Sequence, residues 1–123
     1  MQIKKVGVIG AGQMGNGIAH VLSLGGYNVI LNDIDKNILE KASNNIKNNL
    51  ERQVNSKKIS TAESNAALKL IDYTVSLEDF NDVDLVIEAA TENEAIKQKI
   101  LNSLLPHIQP HTVLTSNTSS ISI

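Results

Sequence analysis

V-G-V-I-G-A-G-Q-M-G-N-G-I-A, Val6 to Ala19, is the stretch on which the fold turns. Its first half is a short β-branched run closed by glycine, the pattern of a strand buried on both faces. Its second half carries glycines at the first, third and sixth positions of G-A-G-Q-M-G, Gly10 to Gly15, just where a helix begins. Each glycine has a separate job in a strand-turn-helix unit that binds a dinucleotide. Gly10 permits the tight turn, Gly12 lets backbone approach a pyrophosphate, and Gly15 draws the helix onto the sheet. The intervening Ala11, Gln13 and Met14 then present first-turn amides and a partial positive charge to the phosphates. Glycines that merely make a compact turn would give the same pattern, so the context has to decide.

Working outward, the rest of the chain alternates between the same two periods. A first strand starts at Ile3, and a helix runs from Gln13 to Leu24 with Met14, Ile18, Val21 and Leu22 as its apolar stripe, ended by Gly25-Gly26. Tyr27 to Asp33 reads as a second strand. Asp35 caps a long helix marked by Ile38, Ala42, Ile46, Leu50 and Val54, on which Asn44, Asn45, Asn48 and Asn49 form a polar, solvated face. Ser60 with Glu63 makes a capping box for a helix through Leu70. Ile71 to Val75 is a third strand, Ser76 to Phe80 a turn or short helix, and Asp84 to Ala90 a fourth strand. A helix lined by Ile96, Ile100, Leu101 and Leu104 stops at Pro106, and Thr112 to Asn117 is a fifth strand. Strands alternating with helices, joined by right-handed crossovers, predict an α/β fold: a doubly wound parallel sheet of about five strands, the Rossmann fold. Ligands of such sheets sit at the carboxyl ends of the strands.

Composition narrows the partners. At 123 residues the chain forms one domain, able to bury roughly two-thirds of its unfolded surface. A net charge of -2 argues against nucleic acid, which demands a concentrated positive surface. The absence of cysteine excludes disulfides, thiol catalysis and Cys-ligated zinc, so nothing requires an oxidising compartment and the cytoplasm is the expected location. No stretch approaches the ~18 apolar residues of a membrane span, so no membrane partner is expected.

Asp33 ends the second strand, 18 positions after Gly15, where a carboxylate can accept hydrogen bonds from an adenosine ribose. It can equally serve as a turn residue before Asp35. As a ribose ligand it would repel a 2'-phosphate, and Ile34 follows it where an arginine would be needed, which predicts NAD over NADP as the cofactor.

Three motifs taken together carry a resemblance: Val6 to Ala19, S-L-E-D-F-N-D-V-D-L-V-I-E-A-A-T-E-N at Ser76 to Asn93, and S-N-T-S-S-I-S-I at Ser116 to Ile123. In this order, and over the whole chain, they resemble the NAD-binding domain of 3-hydroxyacyl-CoA dehydrogenases. The resemblance implies hydride transfer between NAD and a 3-hydroxyacyl-CoA/3-oxoacyl-CoA pair. Gly10 to Gly15 and Asp33 would hold the pyrophosphate and ribose, Ala90 would leave room for the nucleotide, and Glu92, Lys97 and Asn117 would line the cofactor. Ser119 matches a serine that hydrogen-bonds the substrate oxygen, which makes the terminal hydroxyl-rich stretch a site wall in place of a solvated loop. Lys57, with Lys58, falls where the family has basic residues contacting CoA phosphates. Simple solvation explains Lys57 and Lys97 as well, and Glu88 either caps its strand or touches the ligand.

The resemblance also implies a general base, a histidine in an H-x-F-N-P segment, and an all-helical acyl-binding domain; neither occurs in this sequence. His20 lies on the first helix, and His107 and His111 are expected on the far side of the last helix from the cofactor. The chain is therefore expected to be a single domain, incomplete at its C-terminal end, that binds NAD without turning over substrate. A stand-alone nucleotide-binding module with a regulatory or structural role is the alternative, and a methyltransferase using S-adenosylmethionine is a more distant one, opposed by Gly15 and the S-N-T-S-S run. A fifth strand at the sheet edge would leave an unpaired ladder able to recruit a second copy.

Overall fold

A computed structural model describes residues 3–91 and 93–116. One sheet holds five parallel strands in the order β3-β2-β1-β4-β5. In chain order the elements are β1 (Lys5–Ile9), α1 (Gln13–Leu24), β2 (Asn28–Asn32), α2 (Lys36–Asn55), α3 (Thr61–Lys69), β3 (Ile71–Thr74), β4 (Leu85–Glu88), α4 (Glu94–Leu104) and β5 (Val113–Ser116), with 3-10 turns at Leu77–Phe80 and Leu105–His107. The doubly wound expectation holds. Strand order reverses between β1 and β4, paired from Val6↔Leu85 to Ile9↔Glu88, and the crevice at that reversal is where such sheets bind ligands.

Strand alternation sorts the core onto two faces. Val6, Val8, Val29 and Leu31 join Ala19, Leu39, Ala42, Ile46, Leu50 and Ala67 in a cluster under α1, α2 and α3. Ile9, Ile30 and Val86 point the other way, onto Phe80, Val83 and Leu104 beneath α4 and the Leu77–Phe80 turn. Gly7 makes room for the chain's single phenylalanine: a Cβ there would lie 2.6 Å from Phe80 Cε2.

The helix ends follow local rules. Asp35 Oδ1 accepts from Asn37 N–H at the start of α2, and Asn93 Oδ1 accepts from Ile96 N–H at the start of α4. The expected capping box is formed, with Glu63 N–H donating to Ser60 Oγ and Ser60 N–H to Glu63 Oε1. Gly26, at φ 93°, supplies the left-handed residue that lets the chain leave α1.

The stripe assigned to α1 needs correction. Ile18 and Leu22 pack against the core as expected, but Met14 is 45% and Val21 68% exposed, whereas Gly15, Asn16, Ala19, His20 and Ser23 face inward. The reason is distance: a Cβ on Gly15 would stand 1.6 Å from the Gly10 carbonyl oxygen, so the first turn of α1 lies too close to the sheet for a large inward side chain. Small and hydrogen-bonded residues share the inner face with Ile18 and Leu22. His20 Nε2 meets Gln53 Oε1 at 2.8 Å, joining α1 to α2, and Ser23 Oγ donates to the His20 carbonyl.

Candidate cofactor site

Among the four α-helices of the described residues, α1 alone begins without a side-chain cap. Its N-cap is Gly12, in extended conformation, so the amides of the first turn (Gln13, Met14, Gly15) have neither a preceding carbonyl nor a side-chain acceptor. A Cβ built on Gly12 would meet nothing within 4 Å among the described residues. Among the described residues no atom therefore accounts for glycine at this position, whereas Gly10 and Gly15 are explained by their neighbours. Gly10 adopts φ 100° and would press a Cβ to within 2.6 Å of Ala90 Cα. The end of β4 thus packs directly on the turn.

Asp33 is tied to the same turn. Its Oδ2 accepts from Ala11 N–H at 2.9 Å and its Oδ1 from Asp35 N–H at 3.0 Å. The carboxylate braces the glycine turn against the approach to α2. Each oxygen keeps a second lone pair, so bracing leaves capacity for a ligand hydroxyl.

Glu88 resolves in favour of the strand-capping reading. It is 3% exposed, its Oε2 accepts from Ala90 N–H (2.6 Å) and Thr91 N–H (3.0 Å), and its Oε1 accepts from Ser116 Oγ (3.1 Å). By closing the turn after β4 it ends that strand two residues before the expected boundary at Ala90 and presses Ala90 onto Gly10.

Two clefts flank the turn. The larger, about 880 Å³, runs from Gly10, Asp33 and Ala90 between aliphatic walls that include Ile34, Val75, Leu77, Ile96 and Ile100. Ile34 is 93% exposed at its rim. The smaller, about 480 Å³, lies between α1 and α2 and is lined by Gly12, Gln13, Asn16, Lys41, Asn45 and Asn49, among others. Asn45 and Asn49 are exposed, as expected of a solvated face, and also line this groove beside the glycine turn. Lys41, Asn45 and Asn49 recur every four residues on α2, a stripe that the run of asparagines obscured.

Of the residues singled out in the sequence, Gly10, Asp33 and Ala90 line the larger cleft and Ala11, Gly12 and Gln13 the smaller. Met14 is exposed on α1 and lines neither cleft, and neither does Lys57, which sits past the end of α2 in a left-handed conformation at φ 62°. Lys97 also lines neither cleft, and it is only 7% exposed in the first turns of α4. A cation there opposes the helix dipole and forms no ion pair with a described residue. Its burial sets it apart from the solvated lysine that the sequence also allowed. Glu92, Asn117 and Ser119 lie outside the described residues. His107 needs correction: it lines the far part of the larger cleft, not the opposite side of α4, because the Leu105–His107 turn continues the Ile96, Ile100, Ser103 stripe. No helix among the described residues is long and apolar enough to cross a membrane, and no group of metal-ligating side chains occurs among them.

Comparison with known proteins places this geometry. Residues 5–123 match the family described as 3-hydroxyacyl-CoA dehydrogenase, NAD binding domain. A 3-hydroxybutyryl-CoA dehydrogenase of Bradyrhizobium diazoefficiens is 49% identical over 121 residues, covering 98% of this chain and 41% of that protein. One from Mycobacterium tuberculosis is 43% identical, covering 98% of this chain and 43% of its own length. The crystal structure of (S)-3-hydroxybutyryl-CoA dehydrogenase PaaH1 from Ralstonia eutropha superposes with a TM-score of 0.93 at 39% identity, covering 99% of this chain and 43% of that one. The chain spans about two-fifths of the length of these relatives.

Proposed function

The chain belongs to the NAD-binding domain family of 3-hydroxyacyl-CoA dehydrogenases, and from that premise we propose that it is the cofactor-holding portion of such an enzyme, acting on a 3-hydroxyacyl-CoA/3-oxoacyl-CoA pair. The uncapped start of α1 carries the proposal. Its first-turn amides and the open side of Gly12 fit a pyrophosphate, and the Asp33 carboxylate fits the diol of the adjoining ribose. A 2'-phosphate would meet Asp33 with no cation beside it, since Ile34 and Asp35 follow, so the preference is for NAD over NADP. The aliphatic walls of the larger cleft suit the adenine ring. When bound, the nicotinamide supplies hydride acceptance or donation; this chain's own residues bind and orient.

The α1–α2 groove extends the reading to the substrate. Side-chain amides from Gln13, Asn16, Asn45 and Asn49, together with the Lys41 cation, suit a phosphorylated, amide-bearing arm such as that of CoA. Ser119 is proposed to hydrogen-bond the substrate oxygen, because a hydroxyl can donate to a carbonyl and accept from an alcohol. With no H-x-F-N-P histidine in the sequence, the chain alone should bind NADH without turnover. General acid-base catalysis contributes about 100- to 10,000-fold. The outer edge of β5, where Val113 is 42% and Leu114 38% exposed, is proposed to pair with a second copy.

Isothermal titration tests the central claim: NADH binds, NADPH binds at least tenfold more weakly, and S-adenosylmethionine does not bind. Absence of heat with NADH would overturn it.

A further inference from the structure

The larger cleft does not end at the adenosine-sized space beside Asp33. One face of α4 and the turn after it places Ile96, Ile100, Ser103 and His107 in its wall, at intervals of four, three and four residues, a stripe running roughly 16 Å along the cleft at 1.5 Å per residue. Val75, Ser76, Leu77 and Glu78 line the same cleft. The stripe changes character along its length. Its first two members are aliphatic, and its last two carry a hydroxyl and an imidazole.

Neither polar group is used by the fold. Among the described residues, the Ser103 hydroxyl and the His107 ring make no hydrogen bond or ion pair, although other polar side chains nearby are engaged: Gln109 Nε2 donates to the Asn81 carbonyl and Thr112 Oγ1 to the Val83 carbonyl. The backbone that carries them is nonetheless fixed. Leu104, fully buried between them, packs with Phe80 and Val83, and the Gln109 bond pins the following loop. Two hydrogen-bonding groups without a partner among the described residues are thus held on a rigid support at the polar end of this stripe.

Resting on the reading of this cleft as the adenosine site, we propose that Ser103 and His107 form its base-reading end, hydrogen-bonding the polar edge of the purine whose faces lie between the aliphatic walls. The polarity gradient matches the ligand. With the ribose at Asp33, a purine stacked between Ile34 and Ile96 or Ile100 turns its polar edge away from the glycine turn. A hydroxyl and an imidazole each offer both a donor and an acceptor, which is what an edge carrying an amine and ring nitrogens requires. The stripe supplies affinity for the adenosine half only, leaving the pyrophosphate and nicotinamide to α1 and the ends of β4 and β5.

The test is calorimetric titration of NADH and of AMP into the wild-type chain and into Ser103→Ala, His107→Leu and the double variant. A net hydrogen bond of ordinary strength predicts a loss of about 3- to 10-fold per residue, equal for NADH and AMP, with no change in melting temperature. Should a variant fold poorly, the imidazole resonances of His107 in the wild-type chain give a second readout, shifting as AMP is added. Wild-type affinity for NADH combined with variants within twofold of it, or an unmoved His107 resonance, overturns this inference and leaves the NAD reading intact. A wild-type chain that binds neither NADH nor AMP overturns both.

Discussion

Substituting alanine for each of two glycines three residues apart separates a ligand's requirement from the fold's own. At Gly12 the backbone is in an extended conformation that any residue adopts (φ -67°, ψ -167°), and an added methyl meets nothing within 4 Å among the described residues. Alanine is a poorer N-cap than glycine by up to about 1 kcal/mol. Its smaller unfolded-state entropy returns about 0.4 to 1 kcal/mol. Gly12→Ala should therefore fold with stability within about 1 kcal/mol of wild type. The same methyl would occupy the space where a pyrophosphate approaches. Forfeiting one or two charged hydrogen bonds at about 1.5 to 3 kcal/mol each weakens NADH binding by about one to four orders of magnitude. At Gly15 the balance inverts. Helix propensity favours alanine by about 1 kcal/mol, but the methyl would sit 1.6 Å from the Gly10 carbonyl oxygen, deep in the backbone contact between α1 and β1. Relief requires moving the helix by more than an ångström, and overpacking of this kind costs about 1 to 3 kcal/mol or more. Thermal unfolding by circular dichroism, paired with NADH titration, reads both effects. A stable Gly12→Ala chain that binds NADH within threefold of wild type would refute the reasoning, as would a Gly15→Ala chain of wild-type stability.

Asp33→Asn leaves one of the two backbone donors at Ala11 and Asp35 facing an amide N–H, and removes the charge offered to the ribose; NADH affinity should fall about 10- to 100-fold, as read by calorimetry. Glu88→Gln should cost about 1 to 3 kcal/mol in urea unfolding, because a carboxylate accepting from Ala90, Thr91 and Ser116 becomes a group with one donating end. Asp84 makes stability depend on acid pH. Backbone N–H bonds from Lys4 and then Lys5 hold its carboxyl below the usual carboxylate value, with a smaller contribution from His111. A lowered folded-state value means that its stabilising effect is present above the unfolded carboxylate range and is lost as pH falls through the folded value. Asp84→Asn should therefore flatten the acid limb of a melting temperature against pH profile. Sedimentation velocity over a hundredfold range of concentration should show self-association through β5, weakened in Leu114→Lys. Finally, NADH with acetoacetyl-CoA and this chain alone should give no oxidation above background at 340 nm; robust turnover would refute the proposed lack of a base.

Much of this architecture is written locally. The β-branched run before Gly10, the capping box at Ser60 and Glu63, and the four-residue spacing from Ile38 to Leu50 each follow from the geometry of one element, so reading the chain in windows recovers them. The same holds for Gly10, Gly12, Gly15 and Asp33, which lie at fixed offsets from the end of a strand. Local patterns mislead where two elements meet. Met14 and Val21 fit a helical stripe, yet both stay exposed, and the contact of Gly15 with Gly10 brings the first turn of α1 too near the sheet for a large inward side chain. Asn45 and Asn49 look like any polar face until α1 packs alongside and turns that face into a groove.

The sequence by itself determined the order of strands and helices, the glycine turn and the acid that answers it, because these depend on backbone conformation and on distances along the chain. Only tertiary packing decided which of those glycines serves the protein and which is left open, whether Glu88 closes a turn or meets a ligand, and that His107 faces the cleft. Those outcomes depend on which atoms lie across a gap of a few ångströms from elements distant in sequence, and no local pattern encodes such a gap.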